Sequence, residues 1–117
     1  MQVIKGNVPS KSNCYRIVRH GKIASLAKTS ALTEYEESFM WQCGAAYRNK
    51  LITTPFEFYI NVYYPSKRSD LDNSLKVVLD CLQKVKAIKN DNNCCKIVAQ
   101  KFIDIDNPRI EFEIKEI

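Results

Sequence analysis

Residues 56–64 alternate strictly between two sets of side chains. Phe56, Phe58, Ile60, Val62 and Tyr64 fall on one side, and Glu57, Tyr59, Asn61 and Tyr63 on the other. A period of two sustained over this length fits an extended strand and no helix. One strongly apolar face obliges the strand to pack against another layer. Pro65 ends it. Immediately beyond, Leu71, Leu75, Val78, Leu79 and Leu82 recur at i, i+4, i+7, i+8 and i+11. That spacing predicts an amphipathic helix over 70–84, with Asp72, Lys76 and Asp80 in steps of four along its opposite side.

The rest of the chain supplies smaller elements. Gln2 to Lys5 reads as a short strand, broken by Gly6, Pro9 and Ser10. Residues 15–18 and 22–24 read as a pair of short strands with His20-Gly21 as the turn. Thr33 and Glu36 fit a capping box, and Tyr35, Phe39, Cys43 and Ala46 recur downstream, which predicts a helix over 34–48. Gly44 inside such a helix costs about 1 kcal/mol against alanine and marks a close contact. Trp41 on this helix is assigned to the core or an interface. Residues 97–103 read as a strand. Ile110, Phe112 and Ile114 alternate with charged residues in another, and Asp106-Asn107-Pro108 between the two predicts a hairpin. The expected fold is α+β (mixed α/β): one domain over residues 1–117, with a single mixed sheet of about four to six strands packed against two main helices.

Charge is unevenly distributed. The net charge is +5, yet Lys5, Lys11, Arg16, Arg19, Lys22 and Lys28 precede the first acid, Glu34. An acid-free basic arm suits a polyanion such as nucleic acid, although solubility charge would look the same. The five cysteines are odd in number, lack a CxxC pair and are accompanied by one histidine, His20, assigned to the turn. This set favours free thiols over a zinc site or a disulfide framework. No apolar run approaches the ~20 residues of a membrane span. The N-terminus lacks a cleavage signature, so the cytoplasm is the expected location.

The stretch Ser66 to Lys76, SKRSDLDNSLK, carries the chemistry. Asp70 and Asp72 lie where a strand feeds a helix, Asn73 follows, and Lys76 stands one turn beyond Asp72. Asp91 follows the helix in a polar loop. Magnesium takes a few carboxylates and leaves its other positions to water and phosphate. Converging aspartates beside a lysine therefore suit phosphodiester hydrolysis, with the lysine countering charge on phosphorus or holding the attacking water. The plainer reading is helix capping by the aspartates and a surface Asp72–Lys76 ion pair. Lys67 and Arg68 just upstream favour the nuclease reading.

The run Asp70-x-Asp72-Asn73-x-x-Lys76-x-x-x-Asp80-x-Leu82 resembles the signature of the RusA family of Holliday junction resolvases. Gly6-x-x-Pro9-Ser10-Lys11-x-Asn13-x-Tyr15-Arg16 is similar to that family's N-terminal motif, and the loop with Asp91 to its acidic turn. The likeness is weakest over 18–51. It implies a homodimeric, magnesium-dependent endonuclease, with Mn²⁺ as a substitute ion, that cuts four-way DNA junctions by paired nicks. Such proteins are frequent in phages and prophages. It implies Asp70, Asp72 and Asp91 as metal-binding carboxylates, Lys76 as the catalytic lysine, and Asn73 and Asp80 as supporting residues. Neither a membrane nor a small-molecule cofactor is implied. Three positions depart from the pattern. Asn90 stands where a second aspartate is common, Ser69 where a basic residue is, and Ser74 where an apolar residue is; Ser74 reads as a packing change with little bearing on chemistry.

Lys11, Arg16, Arg19, Lys67 and Arg68 are the DNA-binding candidates; Lys84, Lys86 and Lys89 read as surface charge. Cys94-Cys95 is assigned to packing. Tyr59 and Tyr63 are expected beneath the domain's own helices or at a dimer contact. A nuclease acting on other branched DNA, and a non-catalytic junction-binding protein, are the alternatives.

Overall fold

The computed structural model describes residues 1–10 and 13–117. The strand read over 56–64 is β4 (Phe56–Tyr64), at the interior of a four-stranded mixed sheet. The others are β1 (Gln2–Lys5), β5 (Cys94–Ile103) and β6 (Arg109–Glu116), in the order β1-β6-β4-β5. A separate two-stranded sheet pairs β2 (Tyr15–His20) with β3 (Ile23–Lys28). Helices α1 (Ser30–Gln42) and α2 (Leu71–Lys84) complete the α+β fold. No helix among the described residues is long and apolar enough to cross a membrane.

The alternating face of β4 packs as expected. Phe56, Phe58, Ile60, Val62 and Tyr64 are buried against Phe39 of α1, Val78 and Leu82 of α2, and Ile110 and Phe112 of β6. Phe112 organises the aromatic part, stacked on Phe39 with ring centres 6.0 Å apart and tilted against Phe58 and Tyr47. Both helices lie on this face. Tyr59 and Tyr63 are therefore not covered by them, against one of the two expectations. On the other face, Lys115 and Lys96 lie over the Tyr59 ring, Arg109 over Tyr63 at 3.7 Å, and Phe102 stacks on Tyr63.

The expected hairpin between the last two strands does not form. β5 pairs parallel with β4, and β6 pairs antiparallel with β4 from its other side. The loop between them crosses the end of β4, where Asp104 N–H donates to the Tyr64 carbonyl at 2.8 Å. Arg109 fastens that loop through Asp104, the Asn107 carbonyl and Glu111. Alternation reports which residues share a face, not which strand lies alongside. The β4-α2-β5 unit is a parallel crossover, which places the start of α2 beyond the carboxyl end of β4.

Helix α1 begins earlier than its capping-box signal. Thr29 caps it, accepting from Leu32 N–H at 3.4 Å, and its hydroxyl donates to the Asn13 carbonyl. Thr33 lies within the helix, and Glu36 is drawn to lysines instead of a cap. The helix stops at Gln42, so Gly44 lies beyond it, with its N–H donated to Gln2 Oε1 at 3.0 Å. Gln42 pairs with the Lys5 backbone in both directions, binding the helix end to the edge strand β1. Trp41 is 76% exposed and belongs to no core. In the β2–β3 hairpin the tight turn falls at Gly21-Lys22, with His20 paired to Ile23. Every residue of the two strands except Val18 and Ala27 is exposed.

Helix α2 ends in a Schellman motif: Lys86 N–H reaches the Gln83 carbonyl and Ala87 N–H the Leu82 carbonyl. Glycine is the usual residue at the left-handed position of this motif, yet Lys86 holds it at φ 59°. Replacing it with glycine relieves that strain. Lys86→Gly is expected to raise stability by about 1 kcal/mol, seen as a higher urea midpoint with an unchanged slope.

Candidate active site

Asp70 takes the N-cap position of α2 in extended backbone, yet its side chain makes no capping hydrogen bond. The capping reading therefore fails for Asp70. The start of α2 is fixed from below instead. Tyr64, 1% exposed at the end of β4, hydrogen-bonds Ser74, which is 2% exposed on the first turns of α2. The same Tyr64 hydroxyl donates to the Asp70 backbone carbonyl at 3.3 Å. Burial pushes the Tyr64 hydroxyl pKa up, which keeps it protonated and able to donate. Ser74 is thus more than a packing change, because it ties the strand end to the helix that carries Asp70, Asp72 and Lys76.

Asp72, Asn73, Lys76 and Asp80 line one cleft of about 750 Å³. Its far wall includes Cys14, Tyr15 and Lys28 from the root of the β2–β3 hairpin. Lys76 is the polar centre. Its ammonium donates to Asp91 Oδ2 at 2.6 Å and reaches Asp80 Oδ1 at 3.1 Å. The hydrogen bond to Asp91, and then that to Asp80, raise its pKa, so Lys76 is an ammonium at neutral pH. It can stabilise anionic charge and hold a water; it is not a free base. The ordinary Asp72–Lys76 surface pair is not formed, since Lys76 turns to the other two acids.

Asp91 opens a single 3-10 turn, Asp91–Asn93. Asn90 caps that turn, its Oδ1 accepting from Asn92 N–H at 3.0 Å. Asn90 thus has a local structural task that an aspartate could also perform. Gln83 Oε1 accepts from Asp91 N–H at 2.9 Å, joining the turn to α2. Among the described residues, no three potential ligands stand close enough to form a ready-made metal cage. The donor set is nevertheless of the type a hard cation takes: all carboxylate and carboxamide oxygen, with Asp70 and Asp72 exposed.

Of the DNA-binding candidates, Lys67 and Arg68 are exposed on the loop leading into Asp70. Arg16 and Arg19 are exposed on the hairpin. Lys11 lies outside the described residues. Pattern reading missed Lys101, whose ammonium donates to the carbonyls of Lys67, at 2.9 Å, and of Ser69. Parallel pairing of β5 with β4 brings it there, and no local spacing announces that. Gln83 was also missed, although it stands seven residues after Lys76 on the same side of α2. A third missed group is Glu36, half-buried between Lys28, at 3.1 Å, and Lys84. The five cysteines are free, and burial drives the Cys81 thiol up to about 12, which leaves it inert.

Burial pushes the Glu36 carboxyl upward, but hydrogen bonds from Lys84 and Lys28 outweigh this and hold it below its ordinary value. A depressed carboxylate pKa stabilises the fold above the ordinary carboxylate range. That contribution is lost as pH falls through the depressed value. Glu36→Gln is therefore expected to cost about 1 kcal/mol at pH 7, after allowance for the half-exposed lysines. Its denaturation curve should converge on that of the unmodified chain as pH falls through the depressed carboxylate range.

Residues 7–115 match the family described as Endodeoxyribonuclease RusA. The chain is also similar to the crossover junction endodeoxyribonuclease RusA of Aquifex aeolicus (strain VF5). The two are 30% identical over 95 residues, covering 80% of this chain and 73% of that protein.

Proposed function

Because the chain belongs to the RusA family of endodeoxyribonucleases, we propose that it resolves four-way DNA junctions by magnesium-dependent, paired symmetric nicks. The observation that carries this reading is the Lys76 ammonium, bridging Asp91 and Asp80 in a cleft shared with Asp72. Asp70, Asp72 and Asp91 are the residues that would hold Mg²⁺, or Mn²⁺ in its place. Such an ion polarises the scissile phosphate and lowers the pKa of a bound water. Lys76 offsets the charge that grows on the phosphoryl oxygens. Asp80 and Gln83 keep Lys76 and Asp91 in position, and Asn73 lines the cleft beside them.

DNA is gripped from two sides. The loop with Lys67 and Arg68 leads directly into Asp70, and Lys101 steadies its backbone. The exposed hairpin carries Arg16 and Arg19, and its root walls the cleft. Lys11 belongs to the same basic arm in sequence. With about five phosphates neutralised per subunit, log K falls against log salt with a slope near −4 to −5.

One chain has one such cleft, whereas symmetric resolution requires two cuts. A twofold homodimer supplies the second site. The helix-free face of the main sheet supports this arrangement. It carries Glu57, Glu111 and Glu113 beside Lys96, Lys115 and Arg109, a mixed-sign pattern that can meet its own copy, around Tyr59 and Tyr63. The action on DNA fits a cytoplasmic location.

The test is incubation with a labelled four-way junction and a linear duplex of the same sequence, with and without Mg²⁺ or Mn²⁺. Symmetric nicks in the junction alone, only with metal, are expected. Equal cutting of flaps and junctions would point to a general branched-DNA nuclease; binding without cutting under either ion would overturn the catalytic reading. Asp70→Asn, Asp72→Asn and Asp91→Asn should abolish cutting while junction binding persists. Lys76→Met should lower the cleavage rate by about two to three orders of magnitude. Because its pKa is raised, the ammonium persists above neutrality, and no loss from lysine deprotonation is expected between pH 7 and about 10.

A further inference from the structure

The cleft at Lys76 does not end at the carboxylates. Lys28, Glu36 and Lys84 form one wall of it and continue into a second hollow between α1 and α2. Met40, Lys84 and Val85 carry that hollow on into a third, at the far end of both helices. There Trp41, Arg48, Lys84 and Lys86 line the surface. From Asp72 to Lys84 the groove follows α2 for ~18 Å, room for several nucleotides.

The distal end is chemically distinct. Three cations and no acid line it among the described residues. Trp41 is 76% exposed there, the most exposed large apolar side chain of the chain. Exposed apolar residues also occur elsewhere, on the β2–β3 hairpin and at Ile105, but Trp41 is set among cations in a hollow. The surrounding backbone is strained. Of the three non-glycine residues in left-handed conformation among those described, Asn49 and Lys86 line this hollow, and Leu51 donates its N–H to the Lys86 carbonyl. Two of these conformations fall on residues with no glycine-like or asparagine-like tolerance for it, Leu51 and Lys86. Lys86 in particular holds the Schellman position that glycine fills at lower cost. A lysine kept in such a place points to use of its charge.

Glu36 and Glu37 balance Lys28 and Lys84 in the middle hollow, so only the distal end is cationic. Resting on the nuclease reading above, we propose that this distal end holds an unpaired strand of the branched substrate, with Arg48 and Lys86 on its phosphates and one base stacked on Trp41. Cationic grooves interleaved with an aromatic platform bind single strands without sequence preference, because every base offers a π-face. A base inside a duplex does not offer that face, so the platform selects unpaired nucleotides. The site thereby adds a preference for branched DNA that carries a single-stranded segment beside the branch, without being needed for the paired junction.

Trp41 is the only tryptophan, so its fluorescence reads the site directly. Full-length protein in EDTA is titrated with a fully paired four-way junction and with the same junction carrying an oligothymidine tail on one arm. The tailed junction should quench indole emission, shield it from acrylamide and bind at least about fivefold more tightly. Trp41→Ala should erase the tail preference while leaving affinity for, and Mg²⁺-dependent cutting of, the paired junction unchanged. Lys86→Gly should weaken tail binding severalfold without lowering the melting temperature, a combination that a purely structural lysine would not produce. Indole emission indifferent to the tail, with equal affinities for the two junctions, overturns the proposal and leaves the nuclease reading intact. Tail-dependent quenching with no cutting of any junction overturns the nuclease reading and leaves a single-strand site. A change in sedimentation with Trp41→Ala and none in DNA binding makes the surface a protein contact, which also overturns it.

Discussion

The buried contact between Tyr64 and Ser74 sets where the chemistry is possible. Tyr64 is the last residue of the interior strand, and its ring is sealed in the core. Its hydroxyl is a polar atom that must find partners there, because an unsatisfied buried hydroxyl costs about 1–3 kcal/mol. It finds them in the Ser74 side chain and the Asp70 carbonyl. Satisfying one buried hydroxyl thereby fixes both the position of Asp70 and the rotation of α2. That rotation turns Asp72, Asn73, Lys76 and Asp80 outward and Val78 and Leu82 inward. An apolar residue at position 74 would fill the same space but leave Tyr64 one partner short.

Electrostatics then divides the cleft into two parts. At one end Lys76 draws Asp91 and Asp80 toward a single ammonium, balancing charges that would otherwise repel. If Asp91 were to hold a metal ion, as proposed, that ion would share the carboxylate that Lys76 now engages. Further along, Glu36 holds Lys28 and Lys84 by burial and hydrogen bonding, which orders two long side chains before any ligand arrives. The entropic cost of immobilising them, roughly 0.5–1.5 kcal/mol each, is met in folding and not in binding. The two lysines are therefore preorganised at the rim of the cleft, not merely solvated.

Much of this arrangement was legible in the residues. The alternation over 56–64 and the leucine spacing over 70–84 mark β4 and α2 closely, because each buries one face against the same core. The N-cap position of Asp70 and the shared side of Asp72, Lys76 and Asp80 follow from helical geometry alone. What pattern could not supply was partner choice. Alternation in β5 and β6 fits a hairpin as well as it fits two strands flanking a third, and only the fold shows β4 pairing with both. The start of α1 was misread for a related reason. Thr33-Glu36 satisfies a local rule, but Thr29 wins through contacts to Asn13 and Cys14, sixteen and fifteen residues away in sequence. Lys101 and Glu36 were invisible because their roles depend on neighbours that only the tertiary fold assembles.

The same reasoning distinguishes the groove's distal end from ordinary surface. An exposed lysine in ordinary backbone costs nothing and explains nothing, and Lys89, in the loop beyond α2, is of that sort. Lys86 differs because its backbone conformation is unfavourable for any residue with a β-carbon. Leu51 meets it across the Leu51 N–H to Lys86 carbonyl bond and is strained in the same sense. Two strained residues bonded to each other persist because the packing of Ile52, Ala87 and Ile88 beneath them over-determines the backbone. That packing explains how the conformation survives but not why a lysine occupies it. Solvation supplies no reason, since a charge at a neighbouring unstrained position would be solvated equally well. The position itself is what distinguishes Lys86: it presents an ammonium beside Trp41 and Arg48, at the point where the groove leaves the two helices.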